Sequence, residues 1–306
     1  MEKGVPIRSV TRSIAALKAV NHHGSMTMME IARAIEVPYP TACRIVQTLL
    51  YEGLIEQEPT RKRYRATAMV HALSHGFQQD DRLVKTARPY ILPLTKRVGW
   101  PVSIATRVGR NMMLRDSTHA YTSLTFEQYY PGFTLPILDS ASGKLSMAYA
   151  SDEDRETIMR WMRASQEFDP AYLKQAESNL DVGEIRARGY AVQRRNQFNR
   201  TPGKTASIAV PIFTDGLFQA AMTMVFFVSA MKLEEALAKY LQDLIVTAGK
   251  ISDELSEKVQ SEVDAQLQAL ARAEDDSGQS RAVTALVSRY ASSPSRPNSR
   301  PQPDCP

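Results

Sequence analysis

The chain has 306 residues, 43% of them hydrophobic, which allows two domains of ordinary size plus a tail. No apolar run approaches the ~20 residues of a membrane helix, and the opening MEKGVPIRSV lacks the apolar core of a signal peptide. The formal net charge is only +5, so any surface able to attract nucleic acid is local.

Val10, Ile14, Leu17 and Val20 recur at helical spacing and predict a first helix ending at Asn21-His22-His23-Gly24. Thr27 and Glu30 then form a capping box ahead of Ile31, Ala32 and Ile35. Val37-Pro38 stops that helix, because the residue before proline leaves the α region. A second helix is predicted from about Pro40, with Ile45, Val46, Leu49 and Leu50 inside and Gly53 as its left-handed cap. LIEQEPTRKRYRAT follows as strand, Pro-Thr turn and strand, with cations at Arg61, Lys62, Arg63 and Arg65. A capping box alone marks any helix, and a basic hairpin alone is usually a solvated edge. Their order between Thr27 and Thr67 predicts a winged helix-turn-helix. Double-stranded DNA is then the expected partner. Tyr39, Pro40, Thr41, Cys43 and Arg44 stand at the N-terminal end of the helix that would enter the major groove. Arg44 can pair with guanine or clamp phosphate; the wing cations Arg61, Lys62, Arg63 and Arg65 suit phosphate or the minor groove.

Beyond the wing, Val70, Leu73 and Phe77 suggest more helix. Leu83, Val84, Ala87, Tyr90, Ile91, Leu94 and Val98 mark another, in which Pro89 and Pro93 predict a kink or a broken connection between domains. From Trp100 to about Ser256 the pattern is α+β. Val102, Ile104, Thr106 and Val108 alternate as one face of a strand that turns at Gly109-Arg110-Asn111 into Met112–Arg115. Ser207–Phe213 and Leu217–Phe227 flank an Asp215-Gly216 hairpin turn. Leu233, Leu237, Tyr240, Leu244, Ile245, Ala248, Ile251 and Leu255 form a terminal amphipathic helix. From about Gln260 the chain is Ala/Gln/Glu-rich and compatible with helix, then Ser, Pro and Arg-rich and expected to be disordered. The expected division is a DNA-binding domain at 1–80, a helical linker at 81–98, a ligand-binding domain at 99–258 and a mostly disordered tail at 259–306.

Catalytic readings fail on spacing. Asp139-Ser-Ala-Ser-Gly-Lys144 has Leu138 where a phosphate loop needs glycine and Leu145 where it needs Ser or Thr. It also lacks the Gly-x-Ser-x-Gly elbow of a serine hydrolase. His71 and His75 share a helical spacing but no third ligand, so no metal or cofactor is expected. Cys43 and Cys305, the two cysteines, have no evident structural partner, which fits a reducing cytoplasm. Cys43 reads as a packing or base-contacting residue rather than a redox switch.

With the winged helix placed, residues 8 to 256 resemble the IclR family of bacterial transcriptional regulators. The resemblance rests on Arg8-Ser-Val-Thr-Arg-Ser-Ile-Ala-Ala-Leu, Pro38 to Arg44 ahead of Ile45-Val46, and Ala87-Arg88-Pro89-Tyr90. Leu135-Pro136, Ser140-Ala-Ser-Gly-Lys144, Arg186-Ala-Arg-Gly-Tyr190 and Ala206-Ser-Ile-Ala-Val-Pro-Ile follow in order. Trp100-Pro101, Arg115-Asp-Ser-Thr-His119, Thr205 to Pro211 and Ser229-Ala-Met231 are similar to activators of aromatic-acid catabolism of the 3-(3-hydroxyphenyl)propionate type. The resemblance implies a winged helix, a helical linker and an effector domain with a curved antiparallel sheet. It also implies homodimers or dimers of dimers on a palindromic operator, with RNA polymerase as a partner if the protein activates. Its effector pocket maps onto Ala141, Ser142, Gln193, Ser207, Thr223 and Val225. The family's small-acid binders tend to carry Asp where Gln193 stands and Ser where Val225 stands, so an apolar ring bearing a carboxylate fits better.

The residues themselves agree. Free N–H groups at the helix opened by Ser140 favour a carboxylate, with Arg115, Arg194 and Arg195 as charge-matching alternatives. Met112, Met222, Met224, Phe226 and Tyr190 can wall a ring, although methionine and phenylalanine at alternate strand positions are usually core. A different class stands beside this one: a metabolite-binding protein or enzyme whose winged helix mediates protein contacts.

Overall fold

The computed structural model describes residues 7–74, 82–125, 129–164, 168–195 and 202–277. Contacts divide the chain into two units, Met1–Asp81 and Arg82–Pro306.

In the N-terminal unit, α1 (Arg8–His23) ends on Gly24, whose φ of 76° lets its N–H bond Val20 O. After the short strand β1 (Met26–Thr27), Thr27 caps α2 (Met28–Ala34). Thr27 Oγ1 accepts the Glu30 N–H at 3.2 Å, and Glu30 Oε2 accepts the Thr27 N–H at 2.7 Å. Glu36 makes the reversal with φ of 52°, ahead of Val37-Pro38. Helix α3 (Tyr39–Tyr51) then begins with Pro40 in its first turn, and Gly53 lies beyond its end at φ 68°. Strands β2 (Ile55–Gln57) and β3 (Arg63–Ala66) form the hairpin, and β1 pairs with the other side of β3. β1 was not expected, because two residues are too few for alternation to show. Ala16, Val20, Ile31, Ile45, Val46, Leu49 and Ile55 share the core. The stripe expected inside α1 is only partly buried: Val10 and Ile14 are 52% and 51% exposed. Residues Ala68–Ser74 form a 3-10 turn; Phe77 and His75 lie outside the described residues.

The C-terminal unit opens with α4 (Arg82–Val98). The kink expected from Pro89 and Pro93 is absent: the helix is continuous through both. Both prolines lie on its exposed side while Leu83, Ala87, Ile91, Leu94 and Val98 are buried, so the carbonyls they leave unpaired face water. Six strands form one antiparallel sheet in the order β6-β5-β4-β9-β8-β7. These are β4 (Val102–Val108), β5 (Asn111–Ser117), β6 (Thr134–Pro136), β7 (Ala191–Gln193), β8 (Thr205–Thr214) and β9 (Leu217–Phe227). Asp215 and Gly216 join β8 to β9 with φ of 51° and 77°, the paired positive values of a two-residue hairpin turn. Helices α5 (Ala141–Tyr149), α6 (Asp152–Arg163), α7 (Pro170–Ser178) and α8 (Val182–Arg188) lie between β6 and β7. Helix α9 (Leu233–Ser277) closes the described chain and runs well past Leu255, its last residue in the core.

The sheet is covered on both faces. On one, Val102, Ile104, Ile208, Val210, Met222, Met224 and Phe226 pack against α4 and α9. On the other, Ala191, Ala209 and Ala221 pack against α5 and α8, and Ala105 and Met112 join residues of α5, α6 and α7. Small residues on this second face let α5 approach closely. Gly143 serves the same end: a Cβ there would lie 1.8 Å from Ile137 O. That close approach explains the glycine before Lys144 without any phosphate.

Candidate DNA-binding and effector sites

Helix α3 buries Ala42, Ile45, Val46 and Leu49. It leaves Tyr39, Pro40 and Arg44 exposed and Thr41 and Cys43 half-buried. All five expected base-reading candidates therefore stand at its N-terminal end, away from the core. Tyr39 lies beside Cys43 and Tyr64, and chiefly Cys43 pushes its phenol up. Sequence reasoning missed Gln47, exposed one turn beyond Cys43 on the same helix; its spacing from Cys43 was the available signal.

The wing cations divide. Arg61 and Lys62 are exposed at the hairpin tip. Arg65 pairs across the strands with Glu56 at 2.6 Å. Arg63, on the central strand, turns to the start of α2: Nη2 donates to Ser25 O at 2.7 Å and to Glu30 Oε2 at 3.1 Å, and Nε donates to Ser25 Oγ at 3.1 Å. Ser25 Oγ in turn donates to Glu58 Oε1 at 2.6 Å. The Thr27 N–H, with Arg63, holds the Glu30 carboxyl below its usual range. Arg63 thus fastens the wing to the capping box, while Arg61 and Lys62 are the cations presented outward.

In the C-terminal unit, strand register gathers most of the expected pocket residues on the face covered by α5. Gln193 pairs with Ser207 and Ser207 with Val225. In the next row Ala209 pairs with Thr223 and Thr223 with Ser103. Directly paired residues share a face. Helix α5 runs along this face, with Ala141 near Ala209 and Ala221, and Tyr149 against Phe213 and Phe218 at the hairpin end. Its N-terminus is therefore directed toward the Thr223 and Ser207 rows. Ser140 caps it, its Oγ accepting the Gly143 N–H at 3.1 Å and donating to Pro136 O at 3.0 Å. The N–H groups of Ala141 and Ser142, at the first two positions, have no acceptor within the helix. Ser103 was missed because its strand was read as apolar on one face and solvated on the other.

Other expected residues go elsewhere. Met222, Met224 and Phe226 lie on the opposite face, each at most 1% exposed in the core under α4 and α9; a period of two puts them opposite Thr223 and Val225. Tyr190 and Val192 pack against that same core, and Arg188 sits over the Tyr190 ring. Met112 is fully buried beside Ile137 and Met147. Arg115 falls at a bulge in β5, between the pairs Ile104–Asp116 and Ala105–Leu114. Arg194 pairs with Glu234 at 2.9 Å. Lys144 donates to Val192 O at 3.1 Å, and burial pushes its ammonium down against the opposing pull of Asp139. Burial pushes the Asp139 carboxyl up, partly offset by Lys144, and the Tyr172 hydroxyl donates to it.

The family model described as "Bacterial transcriptional regulator IclR C-terminal" matches residues 77–253, and the IclR helix-turn-helix domain matches residues 9–59. The chain belongs to the IclR family. It is similar to the HTH-type transcriptional regulator BhcR of Paracoccus denitrificans, 26% identical over 80% of this chain and 85% of that protein. An IclR homolog from Microbacterium hydrocarbonoxydans, solved in complex with 4-hydroxybenzoate, matches with a TM-score of 0.59 and 21% identity, covering 81% and 98% of the two chains. Thermotoga maritima IclR matches with a TM-score of 0.56 and 20% identity over 81% and 99%. This IclR-family chain is a DNA-binding transcriptional regulator rather than an enzyme. Among its described residues no helix is long and apolar enough to cross a membrane.

Proposed function

We propose that this regulator controls an aromatic-acid catabolic operon, as an activator, with an aromatic carboxylate as effector. The observation that carries the reading is the sheet face at the start of α5. Ser103, Ser207, Thr223, Gln193 and Val225 share it, no carboxylate stands among them, and the Ala141 and Ser142 N–H groups suit an anion. The 4-hydroxybenzoate held by the Microbacterium relative supports the same class. DNA is engaged through α3 and the wing tip. The exposed Val10 and Ile14 of α1 line a groove of about 650 Å³ with Leu17, Leu49, Leu54 and Leu73, an apolar surface that suits a homodimer on a palindromic operator. Dimers of dimers and contact with RNA polymerase complete the reading.

Calorimetry with phenylpropionate, cinnamate, hydroxybenzoate and glyoxylate tests it, beside a reporter for the neighbouring operon. A ring burying ~100 Å² of apolar surface adds roughly 2.5 kcal/mol. Aromatic acids are therefore expected to bind about fifty-fold tighter than glyoxylate and to switch the reporter on. Tight glyoxylate binding with no response to any aromatic acid overturns the assignment.

A further inference from the structure

Among the described residues, two buried side-chain polar atoms have no hydrogen-bond partner: Gln193 Oε1 and Thr223 Oγ1. Both belong to the sheet face at the start of α5. They sit in adjacent rows, Gln193 opposite Ser207 and Thr223 opposite Ala209. Buried polar atoms are nearly always paired, so an unpaired one in a cleft calls for a partner. The two atoms differ in what they need. Gln193 Nε2 donates to Arg195 O at 3.3 Å, which fixes the amide so that Oε1 is the free end, and a carbonyl oxygen can only accept. Thr223 is 7% exposed, and its hydroxyl can also donate, beside the helix start where an anion is favoured.

We infer that the effector is a hydroxylated acid: it carries, besides its carboxylate, a hydroxyl that donates to Gln193 Oε1. This rests on the aromatic-carboxylate reading of the same face and sharpens it to hydroxyaryl carboxylates. The carboxylate meets the Ala141 and Ser142 N–H groups and the Thr223 hydroxyl; the ring lies along Val225; the hydroxyl ends at Gln193. An ammonium would satisfy Oε1 equally in hydrogen-bond terms. Lys144, Arg194 and Arg195 line the cleft along β7 with Gln193, and their charge disfavours a cation there, which leaves a neutral donor.

The test is calorimetry on the full chain with matched pairs: 3-(3-hydroxyphenyl)propionate against 3-phenylpropionate, 4-hydroxybenzoate against benzoate, and 3-hydroxybutyrate against butyrate. At least one hydroxylated aromatic acid is expected to bind about tenfold or more tighter than its deoxy partner, because the deoxy acid leaves a buried acceptor unpaired. Gln193→Met keeps the length and removes the acceptor; it is expected to bring that ratio within about threefold, with melting curves confirming the fold. Thr223→Val is expected to weaken both members of a pair alike. Equal affinities within every pair, or a ratio that survives in Gln193→Met, overturn the inference while leaving the aromatic reading in place. A hydroxyl preference confined to the aliphatic pair removes the aromatic reading and keeps the donor to Gln193. Binding by none of the six acids removes both.

Discussion

In the wing, Arg63 commits its guanidinium to Ser25 and Glu30, whereas Arg61 and Lys62 stand exposed at the tip. The two kinds of cation should therefore fail differently. Each phosphate contact contributes about 0.9 to the slope of log affinity against log salt. Replacing Arg61 and Lys62 by alanine should lower that slope by up to about two and weaken every duplex alike. Arg63→Ala should instead loosen the wing from the capping box, lowering the melting temperature by roughly 5 °C. Titrations of operator and scrambled duplexes at several salt concentrations, beside melting curves, separate the two; a slope change without a melting change for Arg63→Ala would return it to the phosphate contacts. The basic run itself was legible in the sequence. Which of its members faces outward was not, because that depends on β1 pairing with β3 and bringing Ser25 under the wing. Gln193 and Thr223 show the same limit: residue type gave their polarity, while the want of a partner is a property of the folded sheet.

The elements were legible where punctuation was strong. The capping box, the Pro40 start of α3 and the Asp215-Gly216 turn all form as their residues dictate. Pro89 and Pro93 misled because proline was read without its burial: four residues apart, they share the exposed side of a helix whose other side is core. That helix, α4, is also held by polar anchors. Arg88 Nη1 donates to Asp116 Oδ1 and Oδ2 at 2.7 and 2.9 Å, and Nη2 donates to the Tyr121 hydroxyl at 3.1 Å. The Tyr90 hydroxyl donates to Glu254 of α9 at 2.6 Å. Asp116 is buried, with its side chain only 4% exposed, so Arg88→Met leaves a carboxylate without its countercharge. The expected loss is about 2–3 kcal/mol, less than for a fully buried pair because the Arg88 side chain is 43% exposed. Urea unfolding measures it. A loss below about 0.5 kcal/mol would place the pair among surface ion pairs that contribute little.

For the molecule as a whole, the α+β class and the order of a winged helix followed by an antiparallel sheet were readable from periodicity and turns. The inner and outer faces of the sheet were not. Ser103, Ser207 and Thr223 alternate with Ile104, Ile208 and Met224 in a pattern that usually means water against core. Here helices cover both faces, so the alternation separates a polar site from the core. The methionines and Phe226 consequently belong to the core under α4 and α9, and the ring of an effector meets Val225 instead. Coupling between this site and α3 requires that the ligand bind two states of the protein with different affinity. The most direct measurement is fluorescence anisotropy of the full chain on the duplex upstream of its neighbouring operon, and on a scrambled duplex, with and without 3-(3-hydroxyphenyl)propionate at saturation. Specific, salt-dependent binding whose affinity for the upstream duplex changes at least about fivefold with the acid is the predicted result. Equal binding to both duplexes, or an affinity that the bound acid leaves unchanged while the operon responds to another metabolite, would contradict it.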